Sequence, residues 1–153
     1  MILDDRCELC TALALNAGAV GTYNLGDVID TQGQAIGAAN TARALPGAYL
    51  VVLMSTSATS GGAATAQFRL VSDDISPPST STPVVHAGSG PIGLATLTAG
   101  RQVFCISCES LQGAKRYLGL QQITAGAAFT GGAVSIFFTS DPSTWRATAD
   151  NVA

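Results

Sequence analysis

The chain contains two segments with the same layout, and this repetition constrains its fold more than any other feature. Residues 50–74 and 116–141 each read as a strand, a loop of small residues, a second strand and a Ser-Asp ending. The second strand of each segment alternates apolar and polar residues, the period-2 pattern of a strand with one face in a core. Glycine pairs at Gly61-Gly62 and Gly131-Gly132 allow the backbone to reverse. We therefore predict two β-hairpins in an all-β scaffold.

Shorter strands and two long loops account for much of the remaining chain. Strand patterns recur at residues 94–97 and 102–107, and a short one is expected at 84–86. The long loops are residues 31–47 and residues 73–91, which are polar and contain proline and glycine. The sequence thus predicts a jelly roll or β-sandwich of seven to nine short antiparallel strands with two long loops. Loops of this length commonly bind a partner.

Chain length predicts one jelly-roll-like domain over residues 1–153. Residues 1–20 are interpreted as a possible N-terminal arm or as the first strands, with a short helix over 5–15 as the alternative. Residues 142–153 are expected to form a C-terminal tail. The acidic start, MILDDRCELC, argues against a secretory signal, and no apolar run approaches the ~18 residues of a membrane span.

Charge is scarce. Charged residues make up 11% of the chain, against roughly a quarter in an average soluble domain. So few charges indicate that the chain assembles and covers part of its surface, which predicts a homo-oligomer. The net charge of −3 and the scattered arginines argue against nucleic-acid binding.

Four cysteines form two C-x-x-C pairs, Cys7/Cys10 and Cys105/Cys108. Four thiolates could hold zinc, but the distance between the pairs is far longer than in a zinc ribbon, and neither pair is followed by a knuckle glycine. Cys105 and Cys108 cannot bridge each other within a strand, because three steps of about 3.3 Å separate their Cα atoms by ~10 Å. Free thiols are the favoured interpretation, with a cross-link from the N-terminal pair or a zinc site as alternatives.

No set of residues predicts catalysis. His86, the sole histidine, lies in a Pro/Ser/Thr-rich loop without a nucleophile motif, so a loop or interface role is expected. Asp73-Asp74 ends a strand, where aspartates commonly stabilise turns. Gly88-x-Gly90 and Gly131-Gly132 are not followed by a helix that could bind phosphate. We expect neither enzyme activity nor a bound cofactor.

Four residues are candidate contacts with partner subunits. Trp145 and Arg146 belong to the residue types that are enriched in interface hot spots, although the tail that holds them could instead cover the open end of the sandwich. Phe129 at the tip of the second segment and Phe137 on the outer face of its last strand are expected to be exposed. An exposed aromatic side chain needs a surface to pack against.

Several short motifs occur in an order that resembles the small capsid cement (decoration) proteins of tailed bacteriophages. They are MILD at the start, Tyr23-Asn24-Leu25-Gly26, the GGA-A-x-A-Q-F-x-L-x-S-D-D segment, Ala99-Gly100 before a strand, and Arg116-Tyr117-Leu118 leading into TAGAAFTGGAVSIFFTSD. The resemblance covers most of the chain, but the four cysteines are not a feature of that family.

The resemblance implies a jelly-roll protein that is made in the host cytoplasm and ends up on the outer surface of the virion. It would bridge neighbouring major capsid proteins, associate with itself as a dimer or trimer, and have no direct contact with nucleic acid or membrane. A virion carbohydrate- or receptor-binding β-sandwich is the alternative. Aromatic residues make up 6% of the chain and do not cluster in the loops as a sugar-binding platform would require.

Overall fold

The computed structural model describes residues 8–15, 18–31, 48–108, 111 and 113–142. Their regular structure is extended apart from short 3-10 turns, and the all-β prediction is confirmed. The nine strands are β1 (Glu8–Ala14), β2 (Gly21–Asp30), β3 (Tyr49–Ser60), β4 (Thr65–Asp73), β5 (Val84–Gly88), β6 (Ile92–Gly93), β7 (Gln102–Ser107), β8 (Tyr117–Ala125) and β9 (Phe129–Thr139).

The strands form two antiparallel sheets that face each other across the core. Sheet A has the order β1-β9-β3-β7. Sheet B has the order β2-β8-β4-β5, and the two-residue strand β6 also pairs with β4. Apart from the step from β4 to β5, successive long strands alternate between the sheets, so the chain wraps around the core as a jelly roll does. The predicted jelly-roll sandwich is confirmed.

The two glycine-rich segments do not form the predicted hairpins. β3 and β4 lie in different sheets, as do β8 and β9, so each segment is an arch that crosses the sandwich. The arches instead pair with each other, because β3 pairs along most of its length with β9 and β4 with β8. An alternating strand buries one face in either arrangement, so the pattern alone did not distinguish a hairpin from an arch.

The loops of the two arches lie against each other, and this contact requires glycine. Gly126 has a φ of +80°, and a methyl group at its Cα would overlap the carbonyl oxygen of Ala63 in the other arch. Gly131-Gly132, which was predicted to lie at the reversal, instead lies within β9; Gly132 has a φ of +116°, and a methyl group there would lie 2.7 Å from the Cα of Ala58 on the neighbouring strand β3. Two backbones approach too closely at both positions for any side chain.

Side chains from both sheets fill the space between them. The largest apolar residues that are completely or almost completely buried are Leu15, Leu50, Met54, Phe68, Leu70, Leu97, Leu120 and Ile136. Residues 94–97, which were predicted to form a strand, instead contain the 3-10 turn Leu94–Thr96. Leu97 follows this turn with its side chain in the core, which explains the apolar pattern without a strand.

The start of the chain is part of the sheet. Residues 8–14 form β1, an edge strand of sheet A that pairs with β9, so the helix alternative over residues 5–15 is wrong. β1 also contacts β2 and closes one side of the sandwich. Residues 1–7, most of the first long loop and residues 143–153 lie outside the described residues.

Candidate interaction surfaces

One end of the sandwich has no charged side chain among its described residues. We call it the arch end, and it consists of residues 18–20, 55–64, 93–100 and 125–132. Most of its exposed residues are Ser, Thr, Ala or Gly, and Val20 is a larger apolar residue that is 56% exposed. Because no charge would lose its hydration, a partner could cover this surface at a small desolvation cost.

Several hydroxyl groups at the arch end are already paired within the chain. Thr59 Oγ1 lies 3.0 Å from Thr130 Oγ1, which joins β3 to β9. Ser60 Oγ donates to the carbonyl of Ala128 at 2.7 Å and thereby joins the two arches. These bonds hold the polar groups in place, so covering them would leave few donors unsatisfied.

The adjoining part of the outer face of sheet A has the same character. Ser55 Oγ on β3 lies 2.7 Å from Ser135 Oγ on β9. Ser135 Oγ also accepts the backbone N–H of Ala12 on β1 at 3.1 Å. Three neighbouring strands therefore present a continuous surface of small hydroxyl and methyl groups beside the arch end.

The outer face of sheet B is covered by the chain itself. Residues 74–83, which we call the strap, follow β4 and cross this face. Gln121 Nε2 donates to the Ser79 carbonyl and to Asn24 Oδ1, both at 2.9 Å. Asn24 Nδ2 donates to the Pro78 carbonyl at 2.9 Å. Two amide side chains of the sheet thus hold the backbone of the strap, and the sequence pattern did not indicate these contacts.

Asp73 holds the start of the strap. Its carboxylate accepts the backbone N–H of Asp74 at 2.7 Å and that of Ser79 at 3.0 Å. These two bonds, together with Lys115, lower the pKa of Asp73 below its usual value of 3.8. The predicted turn at Asp73-Asp74 is confirmed.

Charged side chains gather at the end opposite the arches, which we call the charged end. Lys115 Nζ lies 3.1 Å from Asp74 Oδ2 and 3.6 Å from Asp73 Oδ1. The Arg116 guanidinium binds both carboxylate oxygens of Asp30 at 3.0 and 2.7 Å and lies over the Tyr117 ring. The ion pair with Asp30 raises the pKa of Arg116. The two ends of the sandwich therefore differ sharply in charge.

The histidine has a defined partner. His86 Nε2 on β5 lies 2.8 Å from Ser72 Oγ on β4, and burial lowers the pKa of His86 below 6.5. A histidine beside a serine hydroxyl suggests a nucleophile pair, but Ser72 is completely buried. A substrate therefore has no access to this hydroxyl, and the geometry indicates a structural contact.

The described cysteines do not converge. Cys10 lies on β1 and Cys105 on β7, at opposite edges of sheet A, so three strand spacings of about 4.8 Å separate them by ~14 Å. Cys10, Cys105 and Cys108 are free thiols, and Cys7 lies outside the described residues. Within the described part of the chain, no cluster of His, Cys, Asp and Glu could hold a metal ion. Burial raises the pKa of Cys10 and of Cys108 to about 11.

The predicted exposure of two interface candidates is wrong. Phe129 is 4% exposed and belongs to the core, because it follows the arch directly and points between the sheets. Phe137 lies on the outer face of β9, next to Val51 on β3, yet it is only 2% exposed. Neither ring is available as a surface contact in this structure. Trp145 and Arg146 lie outside the described residues.

In the described residues there is no helix with the length and apolar character that crossing a membrane requires.

Comparison with known proteins identifies a family. A search of curated proteins found no match to the chain. The family model Bbp16 matches residues 9–138, which reach from β1 to β9 and include both sheets. The chain therefore belongs to the Bbp16 family.

Proposed function

We propose that this chain is a structural virion protein that binds the outside of an icosahedral capsid. It bridges neighbouring major capsid proteins, associates with itself as a dimer or trimer, and stabilises the shell. The proposal starts from the resemblance of its motifs to capsid cement proteins, and the jelly-roll fold agrees with what that resemblance implies.

The uncharged arch end is the observation that carries the proposal furthest. Interface cores are depleted of charged residues, whereas exposed protein surfaces normally contain many. Here the exposed Arg101 borders the surface, whereas Lys115, Arg116 and their carboxylate partners gather at the opposite end. We therefore assign the arch end, together with the adjoining face of sheet A, as the surface that meets the major capsid protein.

Binding to several capsid subunits at once compensates for the low affinity of each single contact. Small side chains bury little apolar area each, so the affinity of one copy for one capsid subunit is expected to be low. A dimer or trimer that binds several capsid subunits at once converts the later contacts into intramolecular ones, which raises the overall affinity by roughly 10²–10⁴. This function requires no cofactor, no nucleic acid and no membrane.

Binding to empty shells tests the proposal directly. Purified protein is mixed with expanded capsid shells that lack it, and the bound fraction is measured after sedimentation. Ala63→Glu adds a charge to an exposed position of the arch end, whereas Thr80→Glu adds the same charge to an exposed position of the strap. We expect Ala63→Glu to lower the affinity about tenfold or more, because the carboxylate would be desolvated, and Thr80→Glu to bind as the native protein does.

The possible outcomes test the proposed function and the assigned binding surface separately. Native protein that remains a monomer and has no affinity for shells contradicts the proposed function. Native protein that binds shells, with Ala63→Glu binding equally well, contradicts the assigned surface alone. Saturable binding of a glycan without shell binding would support the receptor-binding alternative.

A further inference from the structure

The buried hydroxyl of Ser72 joins two parts of the chain that are otherwise separate. Ser72 lies near the end of β4 and is completely buried. Its Oγ accepts the backbone N–H of Lys115 at 2.9 Å, and it lies 2.8 Å from Nε2 of His86. One oxygen atom therefore connects strand β5 to the segment that leads into β8.

The direction of these hydrogen bonds depends on the protonation of His86. Lys115 donates to Ser72 Oγ, so the single hydroxyl proton of Ser72 is free to point at His86 Nε2. That arrangement requires a neutral imidazole with its hydrogen on Nδ1. A protonated imidazole would instead donate from Nε2 to the second lone pair of Ser72 Oγ, and the hydroxyl proton of Ser72 would then lose His86 as its acceptor.

Lys115 connects the Ser72 hydroxyl to the rest of the charged end. Its ammonium group forms ion pairs with Asp74 and Asp73, at the start of the strap. The carbonyl of the next residue, Arg116, accepts both the backbone N–H and the hydroxyl of Thr31, at 2.8 and 2.6 Å, after the end of β2. Displacement of Lys115 would therefore disturb the ends of three strands of sheet B.

We propose that His86, Ser72 and Lys115 form a proton-sensitive latch that holds β5 and the segment before β8 to the end of β4 and opens on acidification. Neutral His86 accepts from Ser72 and keeps the latch closed. Proton uptake reverses that bond and leaves the buried hydroxyl proton of Ser72 without His86 as its acceptor. The hydroxyl can regain a partner only by moving, and this movement weakens its bond to the backbone N–H of Lys115.

The surrounding charges do not oppose this response. Burial lowers the pKa of His86, so the folded state favours the neutral ring, and the stability of the fold declines progressively as the pH falls below 6.5. The charged groups on the elements that pack against β5 are Arg69 and Asp73 on β4, Asp74 after it and Lys115 before β8. Among the described residues, no carboxylate forms an ion pair with the imidazole that would hold its proton.

NMR spectroscopy of the native protein provides the first test. Because His86 is the sole histidine of the chain, its imidazole signals need no assignment. We expect the hydrogen of the neutral ring on Nδ1 and a midpoint below 6.5. A hydrogen on Nε2, or a midpoint at or above 6.5, would overturn the proposal.

Hydrogen exchange at the amide of Lys115 provides the second test, between about pH 7.5 and about pH 5. We expect the protection factor of this amide to fall about tenfold, the effect of losing one hydrogen bond, with the same midpoint as His86. His86→Gln keeps an acceptor that does not titrate, so its Lys115 protection should stay constant. A protection factor of the Lys115 amide that does not change as His86 titrates in the native protein would overturn the proposal. This measurement does not depend on whether a variant folds.

Discussion

Replacing Gly126 with alanine tests the contact between the two arches. Its backbone has a φ of +80°, which costs a non-glycine residue about 1–2 kcal/mol. The added methyl group would also overlap the Ala63 carbonyl oxygen, which is backbone and can move only with its arch. Displacement of packed backbone typically costs about 1–3 kcal/mol more. We expect the free energy of unfolding to fall by about 2–5 kcal/mol, a large part of the roughly 5–15 kcal/mol of a typical domain.

Gly61→Ala is the matched control, because this glycine lies in the facing arch. A methyl group there would meet no atom within 4 Å, and its backbone does not have a positive φ. We expect a change within about 0.5 kcal/mol, or a small gain from a less flexible unfolded chain. The same substitution in two facing loops thus separates the effect of close contact from the general effect of losing glycine.

Urea unfolding followed by circular dichroism measures both variants against the native chain, at several protein concentrations because self-association also stabilises the folded state. The midpoint should fall in Gly126→Ala with an unchanged slope. If Gly126→Ala loses no more stability than Gly61→Ala, the two arches are not in the contact described above.

Three further results are expected. Gln121→Leu removes the donor to the Ser79 carbonyl, so a protease should cleave the strap faster than in the native chain while the sheets remain intact. Alkylation at pH 8, measured by mass spectrometry of peptides, should modify Cys105 faster than Cys108. The side chain of Cys108 is completely buried, and its pKa is raised to about 11. Equal rates of alkylation would contradict this burial. Because the pKa of Asp73 is lowered in the folded protein, its contribution to stability is present above pH 3.8 and is lost as the pH falls through the pKa of the folded state. A free energy of unfolding that does not fall in this range would contradict the hydrogen bonds of this carboxylate.

The candidate surfaces were only partly predictable from the sequence. Scarce charge indicated a covered surface, but it did not locate that surface, because the uncharged residues of the arch end come from four separate parts of the chain. Phe129 was expected to be exposed at the tip of a hairpin, and it is buried because the arch brings it between the sheets. Asn24 and Gln121, which hold the strap and are hydrogen-bonded to each other, lie 97 positions apart, and no local pattern indicates such a pair.

Local sequence determined most of the strands, and tertiary structure decided which strands pair. The alternating residues of β4 and β9 favour an extended chain with one buried face, and this preference holds whatever lies beside them. The glycines between strands indicated that the backbone must turn, but a hairpin and an arch use the same residues. Only the distant pairing of β3 with β9 and of β4 with β8 selects the arch, because it buries both alternating faces in one core between two sheets.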